Sequence, residues 1–287
     1  MSHRVVGIWR YPVKPMLGEE LSECAIGPNG VVGDRAYALI DLEGGVVASA
    51  KNPRKWAGLL GCQAAFVDAS VVQITLPDGS RARTDEPAID AVLSKELGRE
   101  VHLASTAPDD RAFEEVWPDM EGLAPETVIA GTNIGTEETG ERVSRFPLGA
   151  AAPSGTFFDL SVLHIMTTAT LAHLRELNPT AGFDVRRYRP NLLVEAATPP
   201  GFVENDWVGR TLGLGDTAKV QVTMATMRCV MTTLAQQDLP ADRETLRTIA
   251  SHNRIDIPGL GTWACAGVYG DVATPGALHL GDEVAVL

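Results

Sequence analysis

Short apolar runs broken by turn residues fill the first hundred positions of the chain. Glu43-Gly44-Gly45 and Pro77-Asp78-Gly79-Ser80 are strong turn signals between such runs. The runs predict strands over Arg4–Trp9, Leu21–Ile26, Ala36–Asp41, Val46–Ala50, Leu59–Phe66 and Val71–Leu76. Their length and spacing are typical of a small β-barrel or sandwich.

A helix, a strand and a long irregular segment follow. Apolar residues recur at helical spacing from Pro87 to Leu97, and Val101–Ala104 then has the pattern of a strand. The segment Ser105–Gly155 is rich in Gly, Pro, Thr and acidic residues and shows no sustained period. We therefore expect a long loop or linker there.

The C-terminal part alternates strands with two helices. Thr167 or Thr168 can cap a helix that follows the apolar strand Ser161–Met166, and a second helix is predicted from Asp242 to about His252. The remaining apolar runs predict strands over Asn191–Glu195, Thr211–Leu214, Lys219–Met224, Thr262–Tyr269 and Glu283–Leu287.

Composition and charge favour a folded protein with a small anionic ligand. Hydrophobic residues make up 45% of the chain, enough for a buried core, and the net charge of -13 argues against nucleic acid as a partner. Positive charge is nevertheless concentrated at two places, because Arg186, Arg187 and Arg189 are clustered and Arg228 precedes Cys229. We expect a basic pocket on an acidic protein.

The chain shows no sign of a membrane partner. No apolar run reaches the ~18 residues of a membrane span. The first residues have neither the apolar segment nor the cleavage site of a signal peptide. We therefore expect a cytoplasmic location.

Four separated cysteines, Cys24, Cys62, Cys229 and Cys265, form no C-x-x-C pair, so neither a zinc knuckle nor an iron–sulfur cluster is expected. Cys229 has the most telling neighbours. Arg228 beside it favours the thiolate needed for metal binding or nucleophilic attack, and the strand before it places it at a strand end, where pockets commonly open. On this local pattern alone a buried structural thiol is the favoured alternative.

Ordered motifs change that judgement. Arg228-Cys229-x-x-Thr232-Thr233 resembles the cysteine motif of MOSC domains, named after the C-terminal domain of molybdenum cofactor sulfurase. Further matches to this family are Arg189-Pro190-Asn191, Asp206-Trp207, Gly213-Leu214-Gly215-Asp216, Pro275-Gly276 and Gly281-Asp282-Glu283-Val284. The first half is similar to the β-barrel domain that precedes MOSC in the amidoxime-reducing component family and its bacterial relatives, through Tyr11-Pro12-Val13-Lys14 and Gly33-Asp34-Arg35.

The resemblance implies a β-rich mixed α/β fold in two domains. Residues 1–105 would form the N-terminal β-barrel domain and residues 106–155 a long loop or linker. Residues 156–287 would form the MOSC β-barrel domain with its flanking helices.

The resemblance also implies a molybdenum-dependent oxidoreductase that reduces N-oxygenated or N-hydroxylated small molecules. Cys229 would be the catalytic residue and would ligate molybdenum through sulfur. The residues implied to hold the cofactor, in a cleft between the domains, are Lys14, Arg35, Arg189, Asn191, Arg228 and Thr232. Lysine and arginine suit this role because charge-assisted donors grip a phosphate well.

Partners and other cofactors follow from what the sequence lacks. Without an appended ferredoxin-like domain, a reductase of this kind needs a separate electron-donor protein. Without the aminotransferase-like region of the full sulfurase, pyridoxal phosphate is not expected.

Several alternatives stay open. Pro15 stands where close relatives often have serine, which removes one hydroxyl and one backbone N–H from the phosphate site. Lys14 could be a solvated loop residue, Asp34 and Arg35 a surface ion pair worth under ~1 kcal/mol, and Arg186 with Arg187 a solvated face.

Two other functions also remain. Cys229 could carry a persulfide as a sulfur carrier, or the chain could be a cofactor-binding module without catalysis.

Overall fold

Strands and turns dominate the architecture, as the short apolar runs predict. The computed structural model describes residues 3–108, 110–148, 152–196 and 198–287. The elements before residue 105 are β1 (His3–Arg10), β2 (Val13–Lys14), β3 (Glu19–Glu20), β4 (Glu23–Gly27), β5 (Gly30–Val31), β6 (Tyr37–Asp41), α1 (Pro53–Trp56), β7 (Gln63–Phe66), β8 (Val72–Thr75), β9 (Arg81–Arg83), α2 (Ile89–Leu97) and β10 (Val101–Ala104).

The rest of the chain continues this numbering. The middle segment contains β11 (Ala112–Trp117), α3 (Glu126–Thr132), β12 (Asn133–Thr136) and β13 (Arg142–Pro147). The C-terminal elements are β14 (Leu163–Thr167), α4 (Thr168–Leu177), β15 (Leu192–Glu195), β16 (Thr211–Leu214), β17 (Ala218–Met227), α5 (Glu244–His252), β18 (Arg254–Ile257), β19 (Gly261–Thr274), β20 (Gly276–His279) and β21 (Glu283–Val286). Turns of 3-10 helix lie at Ala57–Gly61, Val185–Arg187, Val203–Trp207 and Val230–Thr233.

Among the described residues, seven strands close into a barrel in the order β14, β15, β1, β21, β16, β17 and β19. The ring closes because β19 pairs with β14, with Val268 opposite Ile165. Strand β1 belongs to the N-terminal end of the chain, yet it pairs with β15 and β21. The two ends of the sequence therefore build one barrel.

Alternation along the barrel strands separates the core from the outside. In β17, Ala218, Val220 and Val222 are buried in the barrel core, whereas Lys219 between the first two is exposed. Burying each such valine stabilises the fold by roughly 1.5–3 kcal/mol. The alternation ends where register shifts interrupt the pairing of β17 with β19 after Val222. Such bulges change the direction of side chains near the end of a strand.

The remaining N-terminal strands form small sheets around a second core. The sheets run in the orders β10-β6-β2 and β7-β8-β9. Trp56, Leu59, Ile74 and Leu93 are buried between them and α2. A further sheet, β20-β4-β5, joins this half to the C-terminal half.

The segment predicted as a long loop contains a sheet and a helix, which corrects that expectation. Strands β11, β13 and β12 form a three-stranded sheet, beside which α3 lies. Strand β11 lacks the alternation of polar and apolar residues that identifies a strand, because it is buried on both faces. Glu114 and Glu115 are as inaccessible as the apolar residues around them. Asp109 and residues 149–151 of this segment lie outside the described residues.

Two predicted strands in the first half are also wrong. Val46–Ala50 makes only an isolated bridge between Val47 and Ile40, and the first part of Leu59–Phe66 belongs to the 3-10 helix Ala57–Gly61. The predicted cap of α4 is confirmed, because the Thr167 hydroxyl accepts a hydrogen bond of 3.1 Å from the Thr170 N–H. No helix in the described part of the chain is long and apolar enough to cross a membrane.

Candidate functional site

A cavity of about 280 Å³ lies against the outer face of the barrel wall. His164 and Tyr269 line it, and they alternate with the core residues Leu163 and Val268, so their side chains point out of the barrel. The opposite walls come from the N-terminal half and from the sheet of β11, β12 and β13. The cavity therefore lies between the parts of the chain, where the sequence predicted a ligand.

Six of the seven predicted site residues line this cavity: Lys14, Arg35, Arg189, Asn191, Arg228 and Cys229. They meet because Arg189 and Asn191 immediately precede β15 and Cys229 follows the end of β17. Thr232 does not line it. Its side chain is fully buried, and its hydroxyl donates a hydrogen bond of 3.1 Å to the Cys229 carbonyl.

Two arginines converge on the ring of Tyr11. The guanidinium carbons of Arg35 and Arg189 lie 4.6 and 4.2 Å from its centre. Both residues have left-handed backbone conformations, with φ of 48° and 53°, which cost on the order of 1 kcal/mol for a residue other than glycine. Backbone strain at two adjacent arginines is typical of a site that positions charge for a ligand.

Arg189 has an unused donor. It is 8% exposed, and its Nη1 has no hydrogen-bond partner among the described residues. Burial and the neighbouring Arg35 lower its pKa to about 10, so it stays charged at neutral pH. A buried, charged donor without a partner costs free energy unless an anion or water meets it.

Asp34 and Asn191 hold this region in place. Asp34 accepts hydrogen bonds from the Tyr11 N–H at 2.7 Å and from the Asn191 amide at 2.9 Å, and it pairs with Arg35. The side-chain oxygen Oδ1 of Asn191 in turn accepts a hydrogen bond of 3.1 Å from the backbone N–H of His164. Because the donor and acceptor of the Asn191 amide are both used, this residue positions its neighbours, and the predicted pair of Asp34 with Arg35 is not a surface pair.

Arg228 contacts two other residues of the cavity wall. Its guanidinium donates to the Tyr188 carbonyl at 3.0 Å, and its Nη1 lies 3.5 Å from His164 Nε2. Burial and the positive charge of Arg228 hold the pKa of His164 well below its usual value. The imidazole is therefore neutral at neutral pH.

A chain of alternating charges forms the wall beside Phe113. Lys14 pairs with Asp159, and Lys51 lies 3.3 Å from both Asp159 and Glu115. Burial acts against the charged forms, but the two lysines outweigh it and hold the pKa of Asp159 below its usual value. The Lys14 ammonium also donates to the Phe157 carbonyl at 2.9 Å, so it is not the solvated loop lysine of the alternative interpretation.

Cys229 is partly exposed, and its thiol is protonated at neutral pH. Burial and the carboxylate of Glu115 raise its pKa to about 11, and this outweighs the opposite effects of Lys51 and Arg228. Arg228 does favour the thiolate, as expected, but its effect is smaller than the opposing effects of burial and Glu115. Arg228 is directed towards Tyr188 and His164 instead.

Positive charge dominates the cavity lining even though the chain is acidic. Lys14, Arg35, Lys51, Arg187, Arg189 and Arg228 line it, against the carboxylates Glu115 and Asp159. Six cations against two anions make this a basic pocket, as the clustered arginines predicted. Such a surplus attracts an anionic group.

Sequence reasoning missed Lys51, Glu115 and His164, and it misjudged Arg187. Nothing in the pattern around Lys51 marks it, because only the fold brings it to Glu115. Arg187, predicted as part of a solvated face, is 1% exposed and donates to the carbonyls of Gly182, Leu234 and Pro240. Arg186 does lie on the surface, where it pairs with Asp184 and Asp238.

Family models match both halves of the chain. The model of the MOSC N-terminal beta barrel domain matches residues 2–114, and the model of the MOSC domain matches residues 154–285. The chain belongs to the MOSC family. This family is associated with binding of the molybdenum cofactor.

Two solved structures resemble this MOSC protein. One is the YuaD protein from Bacillus subtilis, with 10% sequence identity and a TM-score of 0.45, covering 99% of this chain and 94% of that chain. The other is YiiM from Geobacillus stearothermophilus, with 16% identity and a TM-score of 0.31, covering 44% of this chain and 54% of that one. No curated protein matches the sequence.

The lining of the cavity in this MOSC protein suits an organic group that carries a phosphate. Among the described residues, no three His, Cys, Asp or Glu side chains come together as a metal site. The unpaired Nη1 of Arg189 and the surplus of cations suit the phosphate of such a group.

Proposed function

We propose that this MOSC protein binds a molybdenum cofactor in the cavity and reduces N-oxygenated or N-hydroxylated small molecules. The observation that carries the proposal is the meeting of one partly exposed thiol, Cys229, with a surplus of cations in a single cavity. The unpaired donor of Arg189 in the same cavity supports an anionic ligand.

The predicted site residues would have different roles in binding the cofactor. Arg189 and Arg35 would hold the phosphate, because Arg189 has a free donor and both converge on one side of the cavity. Cys229 would give its sulfur to the metal. Asn191 and Thr232 would act through the backbone that they fix, since their polar atoms are already bonded within the protein.

The proposed reaction balances with an external donor. An N-hydroxylated amine takes up two electrons and two protons, its N–O bond breaks, and the products are the amine and water. When bound, the molybdenum cofactor supplies two-electron oxygen transfer. The electrons would come from a separate donor protein.

Metal and pterin content test this proposal. Protein from a host that makes the cofactor is expected to hold molybdenum and pterin close to one per chain. Cys229→Ala should lose the metal, and Arg189→Ala should lose the pterin as well, because the phosphate loses its charged donor. Cys24→Ala changes a partly exposed thiol outside the cavity and should retain both. Metal-free wild-type protein from such a host would refute the proposal.

A second candidate is a sulfur carrier, favoured by the observation that Cys229 is the single thiol lining the cavity among the described residues. A desulfurase persulfide would pass its outer sulfur to the Cys229 thiol, leaving the donor as a thiol and Cys229 as a persulfide. No net oxidation takes place. Mass spectrometry should then find one labile sulfur atom on Cys229 and none in Cys229→Ala.

A further inference from the structure

The segment between the two family models builds one wall of the cavity. The models end at residue 114 and resume at residue 154, so neither matches residues 115–153. Trp117, Val128, Phe146 and Pro147 of this segment nonetheless line the cavity. The match to the two family models therefore does not extend to these four lining residues.

The aromatic residues of this wall lie next to Trp263 of β19 and to apolar residues around Cys229, at the end of the barrel strand β17. The rings of Trp117 and Trp263 lie 5.9 Å apart at an interplanar angle of 48°, and the edge of Phe146 meets Trp117 with ring centres 6.3 Å apart. Met227 and Met231, on either side of Cys229, line the cavity as well. Apolar surface thus reaches to within two residues of the thiol.

The aromatic residues are held in place by the protein itself. The Trp117 indole N–H donates to the Ser144 hydroxyl at 2.7 Å, and the Trp263 indole N–H donates to the Leu260 carbonyl at 2.9 Å. Neither indole donor needs a ligand, so the rings offer only apolar contact. Preorganised rings of this kind bind flat apolar molecules with little loss of side-chain entropy.

The cavity has a cationic side and an aromatic side. Lys51 and Lys14 lie over the ring of Phe113, at 4.6 and 5.2 Å from its centre, and Phe113 stacks on Phe146 with ring centres 5.7 Å apart. Phe113 therefore marks the border between the cationic side and the aromatic side. A volume of about 280 Å³ leaves no room for a folded partner.

We propose that Trp117 and Phe146 of this segment, together with Trp263 of β19, form an aromatic substrate subsite and that the natural substrate carries an aromatic ring. The inference rests on the proposed function, because it assigns the reducible N–O group to the thiol side of the cavity and the ring to Trp117, Phe146 and Trp263. Aromatic pairs contribute about 0.5–1.5 kcal/mol beyond the burial of area.

Two N-oxides of opposite shape test the subsite. Pyridine N-oxide is flat and aromatic, and trimethylamine N-oxide carries the same group without a ring. Calorimetric titration of the holoprotein is expected to show about tenfold tighter binding of pyridine N-oxide, and Trp263→Leu should reduce that preference to about twofold or less. Molybdenum and pterin content, measured on the same samples, should not change in the variant.

A second pair of variants covers the case in which Trp263→Leu does not fold. Val128 is half-buried on α3 at the apolar wall, so Val128→Asp places a charge there and should abolish the preference. Val208→Asp makes the same change at a 40% exposed position outside the cavity and should preserve it.

The outcomes separate the two proposals. Equal binding of both N-oxides by molybdenum-loaded wild type would overturn the subsite and leave the proposed function standing. Loss of pterin in Trp263→Leu would also overturn it, because the wall would then hold the cofactor. Wild type that lacks molybdenum but prefers pyridine N-oxide would refute the proposed function and support the subsite.

Discussion

The guanidinium carbon of Arg189 lies 4.2 Å from the centre of the Tyr11 ring, although the two residues come from opposite halves of the chain. The Tyr11 hydroxyl donates to the carbonyl of Pro190, the next residue, at 3.1 Å. Burial raises the pKa of Tyr11, which keeps this donor protonated. The contact of Tyr11 with Arg189 and Pro190 therefore joins the two halves of the chain and also positions the guanidinium of Arg189 in the cavity.

Replacing Arg189 separates backbone strain from charge. Because φ is 53°, Arg189→Gly relieves the strain, whereas Arg189→Ala keeps it and removes the same guanidinium. The glycine variant is expected to be about 1 kcal/mol more stable than the alanine variant. Urea unfolding measures this difference. Both variants should lose pterin equally, and unequal loss would show that the backbone rather than the charge holds the ligand.

Neighbouring arginines are expected to differ strongly in their effect on stability. Arg187 is buried and donates to several carbonyls, so Arg187→Ala leaves buried acceptors unpaired and should cost about 3–5 kcal/mol. Arg186 pairs at the surface with Asp184 and Asp238, so Arg186→Ala should cost about 1 kcal/mol or less. Thermal unfolding of the two variants measures the contrast. Similar midpoints would contradict the structural role of Arg187.

The sequence predicted the barrel strands well, because their outer face is polar and the alternation is visible. In β17 the exposed Lys219 separates buried positions, and this pattern can be read directly. Strand β11 could not be predicted, because both its faces are covered and the buried Glu114 and Glu115 resemble surface residues. Strand β1 was placed correctly along the chain, but its pairing with β15 depends on contacts distant in sequence.

Part of the site could also be predicted. Arg189 and Cys229 belong to short sequence motifs next to strand ends. Their position in one cavity could therefore be predicted from the sequence. Lys51 and Glu115 belong to no motif, and their proximity of 3.3 Å exists only in the fold. The prediction for Arg187 was wrong because nothing in the sequence distinguishes it from Arg186. The difference arises in the fold, which places backbone carbonyl groups around Arg187.

Glu204 is expected to make stability depend on pH. Its carboxyl group is fully buried and accepts the hydroxyls of Thr167 and Thr170, each at 2.6 Å, and burial raises its pKa. Because the pKa of Glu204 is higher in the folded than in the unfolded state, the protonated carboxyl contributes fully to the free energy of unfolding below the unfolded pKa of about 4.3. This contribution is lost as pH rises through the folded pKa. Ionisation of Glu204 should therefore destabilise wild type over this range, relative to a protein in which this side chain cannot ionise.

The isosteric variant Glu204→Gln cannot ionise, so its free energy of unfolding should fall less as pH rises above about 4.3. Urea unfolding at a series of pH values gives both curves. The exposed Glu195 provides the control, because Glu195→Gln should follow the wild-type curve. Parallel curves for wild type and Glu204→Gln would contradict a raised pKa at Glu204.

Gly267 is expected to be intolerant of any side chain. Its φ is +83°, and an added Cβ would meet His164 Nε2 as well as the Ile165 carbonyl at 2.9 Å. Backbone strain and overpacking together should make Gly267→Ala cost about 2–4 kcal/mol. Gly131 lies in α3 with nothing within 4 Å of the added atom, so Gly131→Ala should be neutral or stabilising by up to about 1 kcal/mol.

A double-mutant cycle assigns the cause of this cost. If contact with His164 contributes, Gly267→Ala should cost less in the background of His164→Ala, because the ring that it meets is gone. The backbone part, set by φ and the Ile165 carbonyl, should remain. Urea unfolding of the four proteins gives the coupling energy. Additive costs would show that the imidazole moves aside freely, and that the contact with Arg228 at 3.5 Å does not hold it in place.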